Sequence, residues 1–145
     1  MINFIEGKIS LGEKNISVIS DYEDLTTLNQ EGLIEKREGA GSRTYYYVEA
    51  VEDDMRFGVF IRLREKRIEW LLLRWLDRPM KGWDDVSEKA MIDEYRLLSN
   101  FVKNKVGALP SNTRTGSRTW RVKWGQVDVS YEVRSFDVAV FMKPR

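Results

Sequence analysis

Carboxylates set close together are the residues of this chain best suited by type to do chemistry. Asp53-Asp54 and Asp84-Asp85 are adjacent pairs, and Glu132 meets Asp137 if the chain between them doubles back. Paired carboxylates can hold Mg²⁺ or share the acid–base work of glycoside hydrolysis. Neighbours in an extended chain point to opposite sides, however, so the two Asp-Asp pairs read better as turn or helix-cap residues. Glu132 and Asp137 would be like charges opposed across a sheet face. That arrangement is destabilising unless a cation such as Arg134, or a basic partner, relieves it.

The usual catalytic side chains are missing. The 145 residues contain no His and no Cys. Histidine is the common general base and metal ligand near neutrality, and cysteine is the strong nucleophile and soft ligand. Ser-His-Asp and Cys-His centres, zinc fingers and disulfides are therefore excluded. No cofactor and no metal site is expected. A small hydrolase working with carboxylates is the enzymatic alternative; the expectation is a protein that is not an enzyme.

A second pattern interleaves rings with cations. Trp70, Arg74, Trp75, Arg78, Lys81 and Trp83 form one run, and Arg114, Arg118, Trp120, Arg121, Lys123 and Trp124 form another. Sheets that bind single-stranded nucleic acid stack bases on rings and hold phosphates with Lys and Arg. No acidic residue falls between Asn112 and Trp124. Period-two geometry nevertheless puts Trp120 and Trp124 on the face opposite Arg121 and Lys123, which splits the platform. Arg114 and Arg118 lie in the long polar stretch 111–118, the kind of loop that carries recognition, and are candidate anion or nucleic-acid contacts. Gly39-Ala40-Gly41-Ser42-Arg43 offers backbone N–H groups, but phosphate cradles lead into a helix and here a tyrosine-rich strand follows. A hairpin turn is expected there.

The elements that position these residues are legible from their periods. From Arg118 to Lys143 apolar and polar residues alternate, the mark of half-buried antiparallel strands. Gly125-Gln126 suits a two-residue hairpin loop and sets Trp124 opposite Val127 and Lys123 opposite Asp128. A turn at Arg134-Ser135 then pairs Tyr131 with Val138 and Val129 with Val140, completing a three-stranded meander. Met55 to Leu76 reads as a hairpin around Glu65-Lys66, and Ile68 to Leu76, apolar on nearly both faces, as a central strand under a helix. Arg43 to Val51 is a further strand, with Leu33 to Arg37 beside it. A long helix starts at the capping-box spacing Asp85-Val-Ser-Glu88 and ends at Gly107, with Met91, Tyr95, Leu98 and Val102 inward. A short helix starts at Ser20-Asp-Tyr-Glu23 and closes at Gly32. The predicted fold is one α+β domain over residues 1–145. It has an antiparallel sheet of about six to eight strands packed on one long helix, with a short N-terminal helix.

Net charge is +1 but unevenly spread: residues 1–55 carry five Lys/Arg against twelve Asp/Glu, and residues 56–145 carry nineteen against eleven. Such asymmetry can mark a dipolar surface with separate partners, but the preferred expectation is that opposite charges meet across the folded domain. The first residues lack the basic-then-apolar pattern of a signal peptide, and the longest apolar run, 70–76, is broken by Arg74 and too short to span a bilayer. A cytoplasmic protein without a membrane partner is expected, and the sequon Asn15-Ile16-Ser17 carries no weight there.

With catalysis set aside, the outer face of the meander becomes the candidate surface, with Asp128, Glu132, Asp137, Arg121 and Lys123 meeting a protein partner through complementary charge. In size and style, though not in any motif, the chain resembles the small immunity proteins of bacterial toxin systems, which implies a toxin as that partner. The alternative is a single-stranded nucleic-acid-binding domain using the basic segment 114–123.

Overall fold

The computed structural model describes residues 1–39, 41 and 43–145; the middle of the expected turn at Gly39–Arg43 (Ala40 and Ser42) lies outside the described residues. Two four-strand meanders make one eight-stranded antiparallel sheet. The first comprises β4 (Glu35–Glu38), β5 (Thr44–Glu52), β6 (Met55–Arg64) and β7 (Arg67–Trp75). The second comprises β8 (Asn112–Arg114), β9 (Ser117–Val122), β10 (Gly125–Glu132) and β11 (Asp137–Pro144). They join where β7 meets β11, giving the order β4-β5-β6-β7-β11-β10-β9-β8. The strand expected to be central, β7, is indeed one of the inner pair.

Local chemistry explains the turns. Asp53-Asp54 connects β5 to β6 with φ of 51° and 62°, and Glu65-Lys66 connects β6 to β7 with φ of 52° and 68°. Positive φ at both central residues is the type I′ geometry, whose twist matches that of the flanking strands. One Asp-Asp pair is thus a hairpin turn. The other lies in the connection before the long helix, where the Asp85 N–H donates to the Gly82 carbonyl at 3.1 Å.

The C-terminal meander forms, with one correction. Gly125 pairs with Val122, Val127 with Trp120 and Asp128 with Thr119, so the loop is Lys123-Trp124 and not Gly125-Gln126. Gly125 sits inside the strand because a Cβ there would run into the Lys143 carbonyl oxygen and lie 2.9 Å from the Pro144 Cα. Close backbone approach, not turn conformation, requires glycine. Lys123 therefore does not oppose Asp128. The slip is even, so every residue keeps its face. Between β10 and β11 the register is as expected, Tyr131 with Val138 and Val129 with Val140. The stretch 111–118, expected to be a loop, instead supplies β8 and its tight turn into β9.

Both helices form, each with a shifted start. Helix α1 (Tyr22–Gln30) is capped by Asp21, whose carboxylate accepts from the Asp24 N–H while Asp24 accepts from that of Asp21. Helix α2 (Glu88–Val106) is capped by Ser87, which accepts from the Ala90 N–H at 3.0 Å, and closes on Gly107 at φ 77°. Ahead of them lies an unanticipated three-stranded sheet of β1 (Ile2–Asn3), β2 (Lys8–Leu11) and β3 (Lys14–Ser17). Its strands are too short to show a period, yet Ile9 and Ile16 pair across it fully buried.

Helix α2 covers one face of the large sheet over β10 and β11. Tyr95 meets Tyr131 edge-on at 4.9 Å between centroids, and Phe101 packs on Phe57 at 5.4 Å and on Phe4 at 5.9 Å. Trp120 is buried there and its Nε1 donates to the Ala108 carbonyl at 3.0 Å. A single buried apolar cluster runs from the small sheet through both helices to the covered face.

Candidate functional site: the open face of the large sheet

Among the described residues no helix lies over the opposite face of the sheet, and the register determines what it displays. Tyr47, Phe60, Leu72, Phe141, Asp128, Thr119 and Asn112 stand in one row across seven strands. Alongside lie Tyr45, Arg62 and Trp70 on the first meander, and Lys143, Gln126 and Arg121 on the second. One half is therefore aromatic and the other polar. None of the large apolar members is fully buried: Tyr45, Tyr47, Phe60, Trp70, Leu72 and Phe141 are all half-buried.

The aromatic half is pre-packed. Phe60 lies 5.0 Å from Tyr47 and 5.8 Å from Tyr45, and Trp70 meets Phe141 edge-on at 5.7 Å. The Arg37 guanidinium sits 3.8 Å over the Tyr47 ring, a cation–π contact, while its fork binds Glu35 at 3.0 Å. Burial pushes the Tyr47 phenol above its ordinary pKa, with Glu49 adding to the push and Arg37 opposing it. Tyr45, Phe60, Trp70 and Leu72 line a cleft of about 400 Å³ rimmed by Arg43, Arg62 and Arg74. Such a volume admits a ligand-sized group.

The polar half is an open trough. Arg114, Ser117, Thr119, Arg121, Ser130 and Lys143 line a depression of about 320 Å³, which continues past Arg121 and Lys143 to Arg145. Asp128 lies at its floor, only 5% exposed. Its carboxylate accepts from Thr119 Oγ1 at 2.5 Å and Gln126 Nε2 at 2.9 Å, and pairs with Lys143 Nζ at 3.2 Å.

The residues singled out by sequence separate on this frame. Asp128 is internal and engaged, which removes it from the exposed charge expected on this face. Glu132 and Asp137 do oppose each other. The cation beside Asp137 is Arg74, at 2.8 Å, not Arg134; Arg134 gives Glu132 only its backbone N–H. Arg121 and Arg114 are exposed and share the trough. Lys123 is exposed in the β9–β10 loop. Arg118 lies on the covered side, 4.9 Å over the Tyr95 ring. Trp124 donates to the Phe4 carbonyl, and Arg78 is held in a buried pair with Glu94, so neither belongs to this surface. Sequence reading missed Tyr45, Tyr47, Phe60, Trp70, Leu72 and Phe141 as a set. The signal was there: Tyr45, Tyr47, Phe60 and Phe141 occupy the polar parity of their strands, and Trp70 and Leu72 make the second apolar face of β7.

No family model, curated protein or solved structure matches the chain. Among the described residues no three acidic side chains converge to hold a metal ion, and no helix is long and apolar enough to cross a membrane. Of the arginines bordering the open face, Arg37, Arg62 and Arg74 pair with Glu35, Glu69 and Asp137. Arg43, Arg114 and Arg121 have no carboxylate within ion-pair distance among the described residues.

Proposed function

We propose that this protein is a non-catalytic, cytoplasmic binding domain that docks a protein partner on the open face of its eight-stranded sheet. The observation carrying this reading is the row of half-buried rings framed by arginines. Trp, Tyr and Arg are the residues that dominate binding energy at protein interfaces, where pre-packed rings lose little entropy on docking. Apart from Glu132, the acids near this face are already bound to Lys or Arg, which fits a surface for recognition better than a catalytic pair. An immunity-type protein is the narrower form of the proposal, with a toxin as partner and charge complementarity as the means of capture.

A second reading has one specific observation in its favour: ring and cation share the same accessible face, as single-stranded nucleic-acid binding demands. The faces of Tyr47 and Trp70 are flanked by Arg37 and Arg62, however, and Trp70 and Phe141 meet edge-on, so few ring faces are free for stacking.

Site-specific photo-cross-linking in the native host tests the proposal. A photoreactive phenylalanine analogue at Leu72 or Phe141 is expected to capture one protein, and the same analogue at Leu97 on the exposed side of α2 to capture none. Adding Trp70→Ala abolishes the adduct. Cross-links confined to the Leu97 position, or to RNA or DNA, overturn it.

A further inference from the structure

The open face also specifies its partner's chemistry. Resting on the docking proposal above, we infer that the partner's contacting segment is acidic and carries an aromatic anchor, with the ring seated in the Tyr45–Phe60–Trp70–Leu72 cleft. The carboxylates beside it are received by Arg43 on the cleft rim and by Arg114 and Arg121 across the seam.

Three observations converge on this. The first is the shape and lining of the cleft. Its floor is Phe60, Trp70 and Leu72, its volume is about 400 Å³, and its rim carries guanidinium groups. A flat apolar group with anionic neighbours fits such a lining on both counts.

The second is the sign of the unpaired charge. A basic partner would need free carboxylates, and this face has almost none: Asp128 is bound to Lys143, Asp137 to Arg74 and Glu35 to Arg37. Glu49 lies 3.8 Å from Arg56, and among the described residues Glu132, exposed at the end of β10, is the one carboxylate of this face without a cation in ion-pair distance. The other unpaired charges are guanidiniums. The complementarity therefore runs opposite to the expectation built on Asp128, Glu132 and Asp137.

The third is preorganisation. Asp128 ties down Thr119, Gln126 and Lys143 from beneath, so the trough floor is fixed and its net charge comes from the rim. An anion settling between Arg114 and Arg121 finds the Ser117 and Ser130 hydroxyls in the same depression. Arginine forks receive carboxylates in two-point contacts, and a pre-set floor lowers the cost of docking.

The test is fluorescence anisotropy on the full chain with four labelled probes. They are a short peptide of Asp and Glu around a central Trp, the same peptide with Ala for Trp, the same peptide with Lys for every acid, and a single-stranded oligothymidylate. The acidic Trp peptide is expected to bind, and to weaken as salt rises. Removing the anchor is expected to cost about thirtyfold, the scale of an interface hot spot. On the protein, Trp70→Ala is expected to match that loss, and Arg114→Glu with Arg121→Glu to cost about tenfold or more. Circular dichroism and thermal melting establish that each variant is folded.

Failure to bind the acidic Trp peptide, equal or tighter binding of the basic peptide or oligothymidylate, or indifference to all these changes overturns the inference. The docking proposal fails separately. If cross-linking from Leu72 captures a protein through a basic or purely polar segment, the surface stands and its stated chemistry does not.

Discussion

The two faces of the large sheet are built from the same strands and have opposite duties. On the covered face the side chains are fully buried: Phe57, Val59, Leu71, Leu73, Val129 and Val140 lie under α2 and the small sheet. On the open face the residues between them are half-buried rings, arginines and one submerged carboxylate. Adjacent positions on one strand, such as Leu71 and Leu72, thus belong to different surfaces, one packed and one open. The comparison teaches that in this molecule burial marks stability and incomplete burial marks the candidate site.

The largest effect should come from the covered face. Phe57→Ala is expected to lower unfolding free energy by about 3–5 kcal/mol, because the cavity it leaves beneath Phe101 is closed in by packed neighbours. Phe60→Ala, three residues along but facing out, should cost about 1 kcal/mol and abolish partner binding. Chemical denaturation with a binding assay on both variants checks this. Equal stability losses would end the division of labour between the faces.

A smaller effect probes a charged contact on the covered side. Arg78 joins Glu94 of α2 at 2.6 Å and the Phe136 carbonyl at 2.8 Å, tying the helix to the β10–β11 turn, and Glu94 Oε2 has no hydrogen-bond partner. Arg78→Met is expected to cost about 3 kcal/mol at neutral pH, since it strands a buried carboxylate. A urea midpoint unchanged within error would refute this.

The smallest effect is a pH dependence. Burial holds the Glu94 carboxyl above its ordinary pKa of 4.5, against the pull of Arg78. The folded state therefore binds this proton more tightly than the unfolded chain does. The associated stability is full below the unfolded value and is lost as pH rises through the folded one. Glu94→Gln cannot ionise, so the gap between wild type and variant should shift against the wild type from acidic to neutral pH. Stability curves that stay parallel across that range would show that Glu94 carries no raised pKa.

Sequence reading recovered the covered face better than the open one, for a physical reason. Alternation reports which residues are withdrawn from water, so the inward sets of β6, β10 and β11 and the register of β10 on β11 were legible, while β7, apolar on nearly both faces, showed no inward set. Trp70, Leu72, Phe60 and Phe141 were visible one by one, but their alignment depends on β7 pairing with β11, and nothing local specifies that pairing. Asp128 misled because its parity is outward while its environment is closed by Lys143, Gln126 and Thr119. Gly125 misled in the other direction: its residue type suits a turn, and only the backbone of β11 shows why it is needed. The helix caps moved by a residue or two because the loops 18–21 and 84–87 offer several acceptors.

The seam between β7 and β11 has a consequence for how the chain comes to life. Every other pairing in the large sheet joins strands consecutive in sequence, and each can close as a local hairpin. The seam joins residues 71–73 to residues 140–142. Contacts so distant in sequence wait on loop closure and slow the search for the native state. Tyr45, Tyr47, Phe60, Trp70 and Leu72 lie on one side of that seam, and Phe141 and the basic trough on the other. The two halves of the open face are thus joined only by contacts distant in sequence, and a nascent or partly unfolded chain in which the seam is open does not display the complete surface.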